Sequence, residues 1–168
     1  DDVQMRPVIH PGITFSDITG HANQQAIEAL AQRGIINGKR EDSFDPDANM
    51  TRAEFATIVV QALGLPVNEP TVDGELNFSD VADDAWYAKA VLWAYNNDIV
   101  SGKTETEFDP NGTITREEAA VMTARAAKLC GMDTEMDSTA ARDILAGFTD
   151  YVTASDWAVA SLAFCYYA

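Results

Sequence analysis

Apolar residues along this chain recur at three- and four-residue intervals in stretches that come in matched pairs. Ala26, Ile27, Leu30, Ala31 and Ile35 share one side of a predicted helix that runs out at Gly34 and Gly38, since glycine after a periodic run is a helix-exit signal. Phe55, Ile58, Val59, Ala62 and Leu63 form a second stripe, starting after Thr51 and closed by Gly64 and Pro66. The first stripe then returns 64 positions on as Ala90, Val91, Ala94, Tyr95 and Ile99, and the second as Ala119, Met122, Thr123, Ala126 and Ala127. Small residues on that last face let helices approach closely, which predicts that the second helices are neighbours in a central bundle. Residues 1–14, with Pro7, Pro11, Gly12 and no period, read as an extended leader, and 66–77 as a connector. A second connector, 131–147, is expected to hold a short helix around Thr139–Leu145, and Trp157–Ala168 reads as an apolar helix.

The polar segments between the stripes repeat as faithfully. Phe15-Ser16-Asp17-Ile18, Gly38-Lys39, Phe44-Asp45-Pro46 and Thr51-Arg52-Ala53-Glu54 are answered by Phe78-Ser79-Asp80-Val81, Gly102-Lys103, Phe108-Asp109-Pro110 and Thr115-Arg116-Glu117-Glu118. A third Phe148-Thr149-Asp150 opens near the end, followed by Asp156-Trp157. Units are thus expected at 15–65 and 78–130, with a truncated third at 148–168. Each copy is one supersecondary unit that cannot bury its apolar face alone, so copies must stack, and function belongs at the seams. The apolar end, with Phe164, Tyr166 and Tyr167, reads as a fragment short of one helix. The gap is expected to be met by self-association, by the leader or 131–147 connector folding in, or by further sequence.

Charge narrows the partners. With 11 Lys and Arg against 27 Asp and Glu, the net charge of −16 repels nucleic acid and anionic membranes, so an anionic ligand must be caught locally. No apolar run approaches the roughly eighteen residues of a membrane-inserted helix. No basic-then-apolar signal segment precedes Asp1, which fits either an intracellular chain or a processed exported one. Cys130 and Cys165 lack metal or redox spacing and read as small buried hydrophobes, with a bridge between them also open.

Thr-Arg-x-Glu has the spacing of a capping box, which accounts for Thr51, Glu54, Thr115 and Glu118 structurally. The arginine is the anomaly, because a cation at the first helical position opposes the helix dipole. Neither Arg52 nor Arg116 has an acid three or four residues on. Free N–H groups and a guanidinium together suit a carboxylate or phosphate. The alternative is an ion pair with Asp45, Asp47, Asp109 or an acid across the seam. Both arginines lie outside the apolar stripe, so replacing either by alanine is expected to leave folding nearly intact. A calcium loop at Asp45 or Asp109 lacks its glycine and its final acid, where Ala56 and Ala120 stand. His10 and His21 lie near the leader and no nucleophile–base or metal spacing exists, so no catalysis, metal or cofactor is expected.

Taken in order, these motifs, with the Ile-Ile-Asn-Gly and Ile-Val-Ser-Gly loops, resemble the S-layer homology family over 15–65, 78–129 and 148–168. The resemblance implies an all-α fold of tandem helix-loop-helix repeats, arranged as a pseudo-threefold three-pronged spindle with a central helical bundle. It implies an exported module at the bacterial cell surface that binds an acidic, often pyruvylated, secondary cell-wall polysaccharide in grooves between repeats. It implies that Arg52 and Arg116 face the ligand's carboxylate, and that the backbone at Gly38 and Gly102 lies near sugar; from the residues alone both glycines also read as helix C-caps. Lys39 and Lys103 either assist the anion or favour a helix C-terminus. Trp86 matches the family's aromatic, as sugar platform or as packing residue, and Trp157 repeats it where the first copy has only Ala22-Asn23. Asp17 and Asp80 tie their units together, with ligand contact the lesser role for Asp80. The missing third Thr-Arg leaves two arginines and one complete groove. The competing reading is a protein-association or array-assembly module.

Overall fold

The computed structural model describes residues 9–65 and 74–168. The first eight residues of the expected leader and 66–73 of the first connector, with Pro66, lie outside the described residues. The protein is all-α, as expected: among the described residues strand pairing is limited to isolated bridges. Two compact units divide the chain, Asp1–Asn49 and Met50–Ala168.

In the first unit a 3-10 turn, Ser16–Ile18, precedes helix α1, Gln24–Ala31. Phe15, Ile18, Ile27, Ala31 and Ile36 are buried, whereas Ala26 and Leu30 of the expected stripe face solvent. The chain reverses at Gly34 (φ 69°), so the residues beyond it leave the helical period and Ile36, not Ile35, is buried. Phe15 packs against Phe44 with ring centres 5.5 Å apart. Asp17 accepts the N–H of Phe44 at 2.9 Å and of Asp45 at 2.8 Å, and the Ser43 hydroxyl at 2.9 Å. Those hydrogen bonds, led by the Phe44 and Asp45 N–H groups, hold its carboxyl below the ordinary carboxylate range.

The second unit repeats this interlock. Phe78 packs on Phe108 at 5.6 Å, and Asp80 accepts the N–H of Phe108 at 2.9 Å and of Asp109 at 2.7 Å. Asp45 and Asp109 both turn the chain at φ 59°, a conformation Asp tolerates better than most residues. Phe108 is wholly buried, worth about 1.5–3 kcal/mol over exposure. The glycines complete the fit: a Cβ on Gly38 would sit 2.5 Å from Phe15, and one on Gly102 2.6 Å from Phe78 and 2.7 Å from the Glu107 carbonyl. Neither glycine is a helix C-cap. The helix exit falls four residues earlier, at Gly34 and at Asp98 (φ 58°).

Helices α2 (Arg52–Ala62), α3 (Ala88–Asn96), α4 (Arg116–Leu129), α5 (Ser138–Leu145) and α6 (Val159–Tyr167) make up the rest. Helix α2 packs on α3 and α4, so the two second helices are neighbours, and α6 packs on α4 and α5. The expected stripes need correcting. In α2 the buried positions are Arg52, Ala53, Ala56, Thr57, Val59 and Val60, with Phe55, Ile58 and Leu63 only part-buried and Ala62 exposed. In α4 they are Ala120, Met122, Ala124 and Ala126, with Thr123 exposed. A helix between two neighbours puts its smallest residues where backbones approach and its larger ones at the margins. The connector helix forms as expected, and Asp137 caps it by accepting the Thr139 and Ala140 N–H groups at 2.9 and 3.3 Å. Ala141 and Leu145 of α5 meet Val159 and Ala163 of α6 in a small second core. Both cysteines are free and exposed residues, not core hydrophobes, although the Cys165 sulfur faces the Ala120 carbonyl at 3.6 Å and burial pushes its thiol pKa up.

Candidate ligand-binding groove

Both Thr-Arg-x-Glu segments fold as full capping boxes. Thr51 and Thr115 accept the N–H of Glu54 and Glu118 at 3.1 and 3.2 Å, and the glutamates accept the threonine N–H at 2.9 and 3.0 Å. The two arginines that follow meet different fates.

Arg52 is 3% exposed. Its Nε donates to the Phe108 carbonyl at 2.8 Å and one terminal nitrogen to the Ser101 carbonyl at 3.0 Å. The other terminal nitrogen lies 3.1 Å from Glu118, and the guanidinium carbon sits 4.8 Å from the centre of the Phe108 ring. The α2 N-terminus is also occupied: the Arg52 and Ala53 N–H groups donate to the carbonyls of Gly112 and Pro110 at 2.9 and 3.0 Å. At α2, then, the expected open anion site of free N–H groups plus guanidinium is closed, and the alternative of an acid on the other copy is the one realised. That partner is Glu118, whose capping role had accounted for it in the sequence. Arg52 is therefore a folding residue, contrary to the expectation that its removal leaves folding nearly intact.

Glu118 gathers the site. One oxygen caps α4, and the other meets both Arg52 and the Lys103 ammonium. Burial by itself would raise its pKa, but the Lys103 hydrogen bond, the Thr115 N–H and the charges of Arg52 and Lys103 outweigh that and hold it below the ordinary value. Around this cluster runs a groove of about 450 Å3, lined by Arg52, the 99–103 loop, Glu118, Val121, Met122 and Arg125 of α4, and Trp157. Positions 118, 121, 122 and 125 share one face of α4 by helical spacing. The groove thus holds three cations against one carboxylate, within a chain of net charge −16.

The remaining expected site residues are scattered. Arg116 is exposed and lines a second cavity, about 530 Å3 and edged by Leu145, Phe148, Leu162 and Tyr166. Beside it Glu117 accepts the Ser155 N–H at 2.6 Å and hydroxyl at 2.9 Å. Gly38 and exposed Lys39 belong to the first unit. Trp86 is 59% exposed, edge-on to Tyr87 at 5.3 Å, and lines neither cavity. Asp80 has both oxygens committed to the Phe108 and Asp109 amides, so it ties the unit. Sequence reasoning assigned no role in the site to Arg125 or Trp157. Trp157 carried a signal, since it repeats the position of Trp86; Arg125 carried none, because Gln61 holds the equivalent place in the first copy.

Comparison with known proteins follows the repeats. The sequence profile of the S-layer homology domain matches residues 14–56 and 77–120, together just over half of the chain. The Surface-layer 125 kDa protein of Lysinibacillus sphaericus is 38% identical over 144 residues, covering 86% of this chain and 11% of that protein. Exoglucanase XynX of Acetivibrio thermocellus is 34% identical over 151 residues, 90% of this chain and 13% of the enzyme. S-layer protein sap of Bacillus anthracis is 32% identical over 136 residues, 80% of this chain and 16% of that protein. The chain therefore spans a small fraction of the length of the relatives it matches.

Proposed function

Since this chain belongs to the S-layer homology domain family, we propose that it is a non-catalytic module that anchors a larger protein to the bacterial cell wall. It does so by binding an acidic secondary wall polysaccharide in the groove above Arg52. The observation that carries this reading is the groove's charge: Arg52, Lys103 and Arg125 converge on one side of an otherwise strongly acidic chain, the local capture that an anionic ligand requires. The groove volume suits a few sugar residues, within the range of small-ligand sites. The same stretch occurs in relatives named as surface-layer proteins and as a glucanase, and it makes up a small part of each. That distribution fits a portable attachment unit better than a catalytic one.

Sedimentation with isolated wall polymer tests this directly. The chain should pellet with intact polymer and remain in solution with polymer stripped of its acidic substituents. Equal pelleting with both would remove the acidic-glycan reading, and pelleting with neither would remove wall binding itself. A protein-association role is favoured by one observation, the exposed aromatic group of Phe148, Tyr166 and Tyr167 at 43%, 63% and 79%. Concentration-dependent light scattering without polymer binding would establish it instead.

A further inference from the structure

We infer that the acidic group of the wall glycan is held by Lys103 and Arg125, with the sugar ring laid on Trp157, and that Arg52 is a positioning residue. This rests on the glycan reading above and divides the labour within its groove.

Arg52 has nothing left to offer a ligand. Each of its three nitrogens already has a protein partner, two of them backbone carbonyls and the third Glu118. To meet a sugar carboxylate it would have to leave the Phe108 or Ser101 carbonyl, or Glu118, unpaired in a buried place, and such groups are costly to orphan. The α2 amides are committed as well. In charge terms Arg52 and Glu118 cancel, so the attraction the groove exerts on an anion comes from its other two cations.

Those two are placed to act. Lys103 has a side chain 42% exposed, and of its three ammonium donors one goes to Glu118. Arg125 is exposed and makes no hydrogen bond or ion pair with the described residues. Seven positions beyond Glu118, it stands two turns along the same face of α4, and its planar fork suits a carboxylate bidentately. Trp157 is 60% exposed, lines the groove, and has no aromatic partner among the described residues. A large ring left in water beside two cations fits the apolar face of a sugar whose acidic substituent reaches the cations. Arg52 then serves by holding the 101–108 loop and neutralising Glu118, which would otherwise repel the same carboxylate.

The test uses the full chain, calorimetry, and wall polymer from Lysinibacillus sphaericus, intact and stripped of its acidic substituents. Arg125→Ala should bind intact polymer about tenfold more weakly, bind stripped polymer as the parent does, and melt as the parent does. Trp157→Ala should weaken both polymers alike, again with melting unchanged. Arg52→Lys should lower the melting temperature and weaken both polymers alike, so that the preference for intact over stripped polymer survives. Retention of that preference in Arg125→Ala overturns the inference while leaving the glycan reading standing, as does its loss in an Arg52→Lys variant that melts like the parent. A parent that binds neither polymer sinks the glycan reading and this inference with it.

Discussion

Arg52 and Arg116 occupy the same position of the same motif, and their substitution by alanine should have opposite consequences for stability. Arg52→Ala removes a guanidinium that is 3% exposed, leaving the Phe108 and Ser101 carbonyls without their donor and Glu118 without its buried counter-ion. Breaking a buried pair by deleting one partner costs about 3–5 kcal/mol. Lys103 and the Thr115 N–H still serve Glu118, which favours the lower end. For a chain of this size each kcal/mol moves the melting temperature by roughly 2–4 °C, so a fall of about 6–20 °C is expected. Arg116→Ala removes an exposed cation from the positive end of a helix dipole, and its effect should stay within about 0.5 kcal/mol. Thermal unfolding followed by helical circular dichroism, with both variants beside the parent, reads the difference. Equal shifts in the two variants, or an Arg52→Ala protein that melts with the parent, would refute the argument from burial.

Acid should weaken the fold through Glu118, whose folded pKa is depressed below 4.5. Stability from this group is full above that unfolded value and is lost as pH falls through the lower folded one, so Glu118→Gln should be less stable at neutral pH and show a shallower acid limb in denaturant titrations; an unchanged limb would exclude the ion cluster as its source. Gly102→Ala forces a methyl into the Phe78 ring and the Glu107 carbonyl, an overpacking expected to cost about 1–3 kcal/mol, and a neutral result in chemical unfolding would mean that the loop yields freely. Asp80→Ala leaves the Phe108 and Asp109 amides without their acceptor, at about 1–3 kcal/mol. Amide hydrogen exchange should quicken at those two residues first, and protection equal to the parent's would refute the tie.

What the sequence by itself determined is everything carried by local geometry or by repetition. The capping boxes at Thr51 and Thr115, the helix in the second connector, the tie made by Asp17 and Asp80, and the neighbouring second helices all follow from spacing, because hydrogen bonds over three residues and contacts between like units leave a mark in the chain. Repetition also showed that Phe-Ser-Asp, Gly-Lys and Phe-Asp-Pro belong together, though not that they interlock as ring, glycine and carboxylate. The tertiary structure decided which of two identical motifs is buried. Arg52 and Arg116 differ only in what lies across from each, Glu118 and the 101–108 loop for one and an exposed cavity edge for the other. It decided the true faces of α2 and α4 too, since a helix packed on two sides has no single stripe. Arg125 joined the groove with no counterpart at Gln61, and a residue that breaks the repeat is invisible to reasoning built on it. Charge in this protein is written along the chain, but its meaning is set by desolvation and by partners tens of residues away, which only folding brings into reach.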